Sequence, residues 1–303
     1  MKKVYRLTPS LHECIWGGDS LKNLGKKTEG ARFGESWELS FVKGSEALVD
    51  GVKISEKFDR SAWGVACKDF EDFPVLTKFI DAADKLSVQV HPSDEYALKN
   101  EGQYGKTELW YVVDAKPGAG IYMGLKEKVT PEEFIKATQD GTVEDLLCFK
   151  EVKPSEVYFI PAGTVHAIGA GTLIFEIQQN STLTYRLYDY MRKDKAGNLR
   201  ELHVDKAMKV ASLDRYMPPR VEKNGTLIGK CKYFETHLYK LFDGEMSLSN
   251  TDSYMSLTCT RGEGTVDGER MSMGDSFFIP AGTDNVKIEG DLDVAVITTP
   301  ISE

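Results

Sequence analysis

The chain has 303 residues, a formal net charge of −9 at pH 7 and a pI near 5.3. This acidic balance argues against nonspecific nucleic-acid binding, which needs a basic surface, but is compatible with a local basic pocket for an anion. The N-terminus lacks the apolar run of a secretory signal, and no stretch approaches the roughly 18 apolar residues of a membrane span. The five cysteines are scattered without a C-x-x-C pair, which indicates reduced thiols. We therefore predict a cytoplasmic protein with no membrane or nucleic-acid partner.

Apolar and polar residues alternate in many short stretches, which predicts mainly β-strands with a few short helices between them. Ser93 is an N-cap candidate, and Thr130 opens a capping-box pattern. Pro218 and Pro219 mark a boundary, after which the chain is predicted to form short strands. Strands are predicted at 34–40, 74–80, 86–91, 106–113, 121–123, 157–160, 173–178 and 183–188, and helices at 58–70, 93–100, 130–139 and 201–212.

The hexapeptide FIPAGT occurs twice, at 159–164 and at 278–283. Two similar β-rich halves are the best account of this repeat, and they imply two small β-barrels or sandwiches. In this register His166 of the first half corresponds to Asn285 of the second half. If this position binds a metal ion, only the first half does. The predicted domains are 1–217, a metal-binding catalytic domain with an N-terminal extension and short helices, and 218–303, a metal-free domain.

The predicted strand at 86–91 carries three polar side chains on one face. Residues two apart on a strand point to the same side, so Ser87, Gln89 and His91 share a face, and three aliphatic residues share the other. Taken alone, this pattern is typical of an ordinary surface strand. Other polar residues in the chain change this interpretation.

Lys106 and Glu108 share a face of a later strand, and His166 follows a Pro-Ala-Gly turn. His91, His166 and Glu108, with the amide oxygen of Gln89, are suitable ligands for Zn²⁺ or another divalent ion. Because these ligands come from three separate strands, their spacing fits a metal site and a solvated polar face equally well. No G-x-G-x-x-G or P-loop motif is present, so nothing indicates a redox or nucleotide cofactor.

Four segments occur in an order that resembles the signature blocks of the type I mannose-6-phosphate isomerases: SVQVHP (87–92), KTELWY (106–111), PAGTVHAIGAG (161–171) and TYR (184–186). The length is similar to that of the short bacterial form of this family. The resemblance implies an all-β bicupin fold, with two jelly-roll-like β-barrels and a few short helices, and one zinc ion per chain. It implies that mannose 6-phosphate and fructose 6-phosphate are interconverted through an enediol or enediolate. The implied zinc ligands are Gln89, His91, Glu108 and His166.

The resemblance also implies residues that act on the sugar. Arg186 matches the active-site arginine of the family, and Lys106 and Ser87 match positions close to substrate. Arg192, or the adjacent lysine, lies near a phosphate-contacting base of longer relatives. An arginine stays cationic, so we predict that Arg186 stabilises enediolate or phosphate charge; the alternative is a structural ion pair with Asp189. Lys106 is expected to be a charge-stabilising donor.

The general base and some functional alternatives stay open at the level of sequence. A hydroxide on the metal, a nearby carboxylate or an imidazole could accept the proton. The alternative functions are isomerisation of another sugar, sugar binding without turnover, and Fe²⁺-dependent oxygenation at the same two-histidine, one-glutamate site. The expected partner is a small phosphosugar in each isomerase case.

Overall fold

Antiparallel strands dominate the computed structural model, which describes residues 3–28, 32–194, 196–219 and 224–301. The first strands are β1 (Tyr5–Arg6), β2 (Ser10–Gly18), β3 (Phe33–Leu39), β4 (Leu48–Val49), β5 (Val52–Lys53), β6 (Val75–Ala82), β7 (Val88–Val90), β8 (Glu108–Ala115), β9 (Gly120–Leu125) and β10 (Leu147–Glu151). The later strands are β11 (Val157–Ile160), β12 (His166–Ile168), β13 (Thr172–Gln179), β14 (Tyr185–Tyr188), β15 (Leu227–Lys230), β16 (Glu235–Asn250), β17 (Met255–Val266), β18 (Glu269–Ser272), β19 (Ser276–Ile279) and β20 (Thr283–Thr298).

Short helices connect these strands, as predicted. They are α1 (Ile54–Lys57), α2 (Asp94–Asn100), α3 (Pro131–Asp140), α4 (Val143–Leu146) and α5 (Val204–Ala207), with 3₁₀ turns at Ser20–Leu24, Arg60–Trp63 and Val65–Cys67. Helix α3 begins with the predicted capping box: the Thr130 hydroxyl accepts from the Glu133 amide at 3.2 Å, and the Glu133 carboxylate accepts from the Thr130 amide at 2.8 Å. Among the described residues, every helix is too short or too polar to cross a membrane. All five cysteines are free thiols, as predicted.

Two of the helix predictions were too long. The segment at 58–70 forms two 3₁₀ turns, because Gly64 between them has φ of 88° and a Cβ there would lie 2.3 Å from the Asp252 carbonyl oxygen. The segment at 201–212 is helical only in α5, and Ser212 beyond it donates a backbone hydrogen bond to Gly163.

The first β unit consists of two sheets that pack face to face. One sheet has six strands in the order β11-β8-β13-β6-β2-β3, and the other has five in the order β10-β9-β12-β7-β14. Apolar residues of both sheets share one core; for example, Trp110 and Ile174 of the first sheet cluster with Ile121 and Ile168 of the second. The sheets remain separate and do not close into a barrel within the described residues.

The second β unit is a seven-stranded sheet with the order β1-β19-β17-β20-β16-β15, and β18 pairs with β17. Strand β1 joins this sheet from the N-terminus, with Tyr5 opposite Phe278. Aromatic side chains pack the two units together: the rings of Phe73 and Tyr254 lie 4.6 Å apart, and Tyr254 stacks on Phe278 at 5.9 Å. The all-β prediction is confirmed, while the division at residues 217/218 stays a prediction.

Candidate active site

The predicted metal ligands meet between the two sheets of the first unit. His91 follows β7 and His166 begins β12 in the five-stranded sheet, whereas Glu108 begins β8 in the six-stranded sheet. One nitrogen of each histidine and one carboxylate oxygen all lie within 4.8 Å of one another, and all three residues are buried. The facing sheets therefore bring together residues that are up to 75 positions apart in the sequence.

Backbone carbonyls fix the orientation of both imidazoles. Nδ1 of His91 lies 2.9 Å from the Leu183 carbonyl oxygen, and Nδ1 of His166 lies 2.9 Å from the Thr164 carbonyl oxygen. A carbonyl only accepts, so each Nδ1 carries the hydrogen and each Nε2 presents a lone pair. The Nε2 atoms of His91 and His166 lie 3.1 Å and 3.8 Å from the two oxygens of Glu108. This donor set fits a divalent cation with further positions open to solvent or substrate.

Gln89 lies on β7, between β12 and the edge strand β14, and therefore between two other predicted residues. Gln89 is paired with His166 on one neighbouring strand, β12, and with Arg186 on the other, β14. Its side-chain Nε2 lies 3.4 Å from Nε2 of His166. Rotation of the amide by half a turn would present Oε1 at the same place, so Gln89 as the fourth ligand stays a prediction.

The protonation state of this cluster suits a metal ion. Burial, aided by the charge of Lys106, lowers the pKa of His91 to about 3, and burial also lowers the pKa of His166. Burial alone would raise the pKa of Glu108, but the Lys106 ammonium 2.7 Å away and the neighbouring imidazoles hold that pKa well below its usual range. Neutral imidazoles and an ionised carboxylate are the forms that bind a metal.

A second set of buried charges lies beside the predicted metal ligands and was not predicted from the sequence. The indole nitrogen of Trp110 donates to Glu108 at 3.0 Å and to Glu176 at 2.7 Å. Nζ of Lys78 lies 3.1 Å from Glu176 and 3.5 Å from Glu35. The available signal was a charged residue in the middle of each of two mainly apolar strands, Lys78 in β6 and Glu176 in β13, which are buried along their whole length.

Glu35, Lys78 and Glu176 of this set line a cavity of about 140 Å³. Four predicted residues line it, namely Ser87, Gln89, Lys106 and Arg186. Arg200, which the sequence analysis did not select, lines it as well. The charged lining consists of the cations Lys78, Lys106, Arg186 and Arg200 and the carboxylates Glu35 and Glu176. Although the whole chain carries −9, cations outnumber carboxylates in this lining, which suits an anionic ligand. Two of these cations, Lys106 and Arg200, are also paired with Glu108 and Asp189, which do not line the cavity.

The structure places Arg192 outside the lining of this cavity. Its guanidinium forms an ion pair with Asp189, which also accepts from Arg200. Arg186 is not in that ion pair: its Nη1 donates to the backbone carbonyl of Glu201 at 2.9 Å. The sequence-based alternative for Arg186, a structural ion pair with Asp189, is therefore not the observed arrangement.

Comparison with known proteins identifies the family to which this chain belongs. The family model for the catalytic domain of type I phosphomannose isomerase matches residues 4–121, and the model for the cupin domain of mannose-6-phosphate isomerase matches residues 223–299. The mannose-6-phosphate isomerase ManA of Bacillus subtilis (strain 168) is 36% identical over 300 residues, which cover 93% of this chain and 94% of that protein. The chain belongs to the type I mannose-6-phosphate isomerase family.

Other members of this isomerase family are similar to the chain over nearly its whole length. The mannose-6-phosphate isomerase of Streptococcus mutans is 33% identical over 304 residues, covering 95% of this chain and 96% of that protein. A crystal structure of the mannose 6-phosphate isomerase from Bacillus subtilis has a TM-score of 0.89 and 31% identity, and covers 98% of this chain and 99% of that chain. The prediction of an isomerase with an all-β cupin fold is confirmed.

The match to the type I catalytic-domain model ends at residue 121, so it includes Gln89, His91 and Glu108 but not His166 or Arg186. The last two residues join the site through the fold, because β12 and β14 both flank β7 in the five-stranded sheet. The roles of individual residues in this isomerase remain predictions.

Proposed function

We propose that this isomerase interconverts mannose 6-phosphate and fructose 6-phosphate, with one zinc ion per chain and an enediolate intermediate. The observation that carries the proposal is the cluster of two Nε2 lone pairs and one carboxylate beside a cavity with excess positive charge. The names of the relatives from Bacillus subtilis and Streptococcus mutans support the same substrate. Metal ligands and cations together suit a sugar that has a carbonyl at one end and a phosphate at the other.

The proposed zinc ligands are His91, Glu108 and His166, with Gln89 as the fourth. When bound, the ion would polarise the carbonyl of the sugar and counter the negative charge that develops on its oxygen. The chemistry of the donor set supports the fit: Oε1 of Glu108 is buried, with Nε2 of His91 3.1 Å away and the Lys106 ammonium 2.7 Å away.

Lys106 and Arg186 are proposed to stabilise the enediolate. Lys106 is buried, and its ammonium contacts both Glu108 and Nε2 of His91, the latter at 3.3 Å. It thus lies at the edge of the metal cluster, where a sugar oxygen would approach. Arg186 and Ser87 line the same cavity. Positive charge that is already in place stabilises a developing oxyanion without reorganisation, which is the largest electrostatic contribution that such a site offers.

Glu176 is the residue best suited to act as the general base. It lines the cavity, its Oε2 accepts from Trp110, and its Oε1 is paired with the Lys78 ammonium at 3.1 Å. Burial, together with the charge of Glu108, raises the pKa of Glu176, which makes it a stronger base once ionised. Glu176 would take the proton from C2 of mannose 6-phosphate and return it to C1, while the hydroxyl proton moves from O2 to O1.

The test is fructose 6-phosphate formation from mannose 6-phosphate by chelator-stripped protein, before and after Zn²⁺ is restored. We expect activity to disappear and to return, because the cluster of His91, Glu108 and His166 lacks its cation after stripping. The variant His166→Gln should not recover with Zn²⁺. Full activity in the stripped protein would contradict the zinc requirement. Absence of activity on this substrate in both samples, with turnover of another phosphosugar, would contradict the substrate assignment.

A further inference from the structure

We propose that Arg200 binds the phosphate group of the sugar together with Arg186, and that Arg192 only positions Arg200 through Asp189. This inference rests on the proposed phosphosugar substrate and assigns the phosphate end of the same cavity. It differs from the expectation drawn from the sequence, which placed Arg192 at the phosphate.

The hydrogen bonds of the guanidinium groups separate the three arginines. In Arg192 every nitrogen is engaged by the protein: Nη2 by the Asp189 carboxylate, Nε by the Asp189 carbonyl at 3.3 Å, and Nη1 by the Lys85 carbonyl. Arg200 uses Nε and Nη2 for the two oxygens of Asp189, and its Nη1 makes no hydrogen bond within the described residues. All three nitrogens of Arg192 are therefore engaged by protein acceptors, whereas Nη1 of Arg200 is not, and Arg200, unlike Arg192, lines the cavity.

Arg186 is also left with unused hydrogen-bond capacity. Its Nη1 donates to the Glu201 carbonyl, but its Nε is buried without a partner among the described residues. Arg186 and Arg200 line the same cavity, and burial together with the charge of Arg200 lowers the pKa of Arg186. Two neighbouring cations that line one cavity and share no carboxylate between them are suited to a phosphate monoester.

Asp189 holds this arrangement in place. It is 5% exposed and accepts from both Arg192 and Arg200. The two residues that follow, Tyr190 and Met191, have φ of 56° and 54°, a left-handed conformation that is uncommon for side chains of this size. Such a turn persists only where its surroundings enforce it, and here it allows Arg192 to fold back onto Asp189. The turn thus gives Arg200 a fixed, bidentate anchor.

The position of the arginines also fits the length of the substrate. Arg186 is paired with Gln89, which is paired with His166, so Arg186 and the metal cluster are two strand spacings apart in the sheet. Neighbouring strands are about 4.8 Å apart, which gives roughly 10 Å between those backbone positions. A hexose 6-phosphate with its carbonyl end near His166 extends in the direction of Arg186 and Arg200.

The proposal is tested by binding of a hexitol 6-phosphate, which has the phosphate but no carbonyl, to the zinc-loaded protein by calorimetry. Removing one charged hydrogen-bond donor should raise the Kd of Arg200→Gln by about ten- to a hundredfold. The KM for mannose 6-phosphate should rise in parallel, with kcat changed much less. Arg192→Gln should raise the Kd less than Arg200→Gln, because its nitrogens already have protein acceptors. Arg270→Gln, at an exposed position of the second unit, is the control and should leave the Kd unchanged.

An unchanged Kd in Arg200→Gln would overturn the assignment, and so would a larger loss in Arg192→Gln. If Arg200→Gln does not fold, as judged by thermal unfolding, Arg200→Lys decides instead. A lysine keeps the charge but cannot hold Asp189 by two hydrogen bonds, so a Kd raised several-fold supports the proposal, and an unchanged Kd contradicts it. A wild-type protein that binds the hexitol 6-phosphate but does not isomerise mannose 6-phosphate would contradict the proposed function alone.

Discussion

The two β units use the same turn but fill their interiors differently. In both copies of FIPAGT the first two residues are the last two of a short strand, and the rest forms a turn. Both turns contain a glycine with positive φ, Gly163 at 86° and Gly282 at 77°. The interior of the second unit is apolar, with residues such as Leu257, Ile288 and Val294 fully buried. Between the sheets of the first unit, the corresponding space holds charged residues that reach the metal cluster.

This difference indicates which buried residues of the first unit serve the reaction and are not needed for folding. Burying a charge is unfavourable unless it is paired, and a buried ion pair is often no more stabilising than an apolar pair of similar volume. The core cluster of the second unit is apolar, and its buried carboxylate, Asp293, lies outside that cluster and is paired with Arg261. A cupin core therefore does not require charged residues. We infer that Glu176, Lys78 and their neighbours are retained for the reaction, at some loss of stability.

The largest effect is expected when one carboxylate of the first unit is neutralised without a change of shape. In Glu176→Gln the side chain keeps an oxygen that can accept from Trp110, but it has no basic oxygen for the C2 proton. We expect kcat to fall by about 10²- to 10⁴-fold. Zinc content, measured by elemental analysis, should stay at one ion per chain, since Glu176 is not among the proposed ligands. A variant that keeps wild-type kcat would exclude Glu176 as the base.

The second prediction concerns substitutions that make the interior of the first unit apolar, like that of the second unit. Lys78→Met leaves the buried carboxylate of Glu176 without its ion pair and should lower the free energy of unfolding by about 3–5 kcal/mol. The double variant Lys78→Met/Glu176→Leu removes both charges, while Glu35 keeps its hydrogen bond from Trp37. We expect its stability to return to within about 1 kcal/mol of wild type or to exceed it, with activity lost.

Urea unfolding of the single and double variants measures this prediction. A double variant that is less stable than Lys78→Met would show that the charges stabilise the first unit, and the contrast between the two interiors would then need another explanation. That result would concern stability alone. Both variants lack the proposed base, Glu176, or its ion-pair partner, Lys78, so their activity does not test the proposed function.

The sequence predicted β3, β6, β7, β8, β11, β13, β14 and α3, and the meeting of His91, Glu108 and His166, because each is encoded in local patterns or in motifs of the family. His91, Glu108 and His166 are polar residues at strand ends within such motifs, and the sheets bring them together as expected. Glu176 was missed because one charged residue within a mainly apolar stretch, Leu173–Ile177, carries no periodic signal. Arg200 was missed because only the turn after β14 brings its guanidinium to Asp189, a tertiary contact that has no counterpart in local sequence.

The smallest effect is expected at the repeat position that distinguishes the two units. His166 is fully buried, whereas Asn285 is exposed with φ of 53°, and the described residues contain one cluster of metal-ligating side chains, the one around His166. Asn285→His therefore adds an imidazole with no further ligands beside it. We expect one zinc ion per chain, unchanged activity, and a stability change of at most about 1 kcal/mol from the left-handed backbone. Two tightly bound zinc ions in this variant would mean that the second unit retains a latent site, and that its apolar interior does not determine where the metal binds.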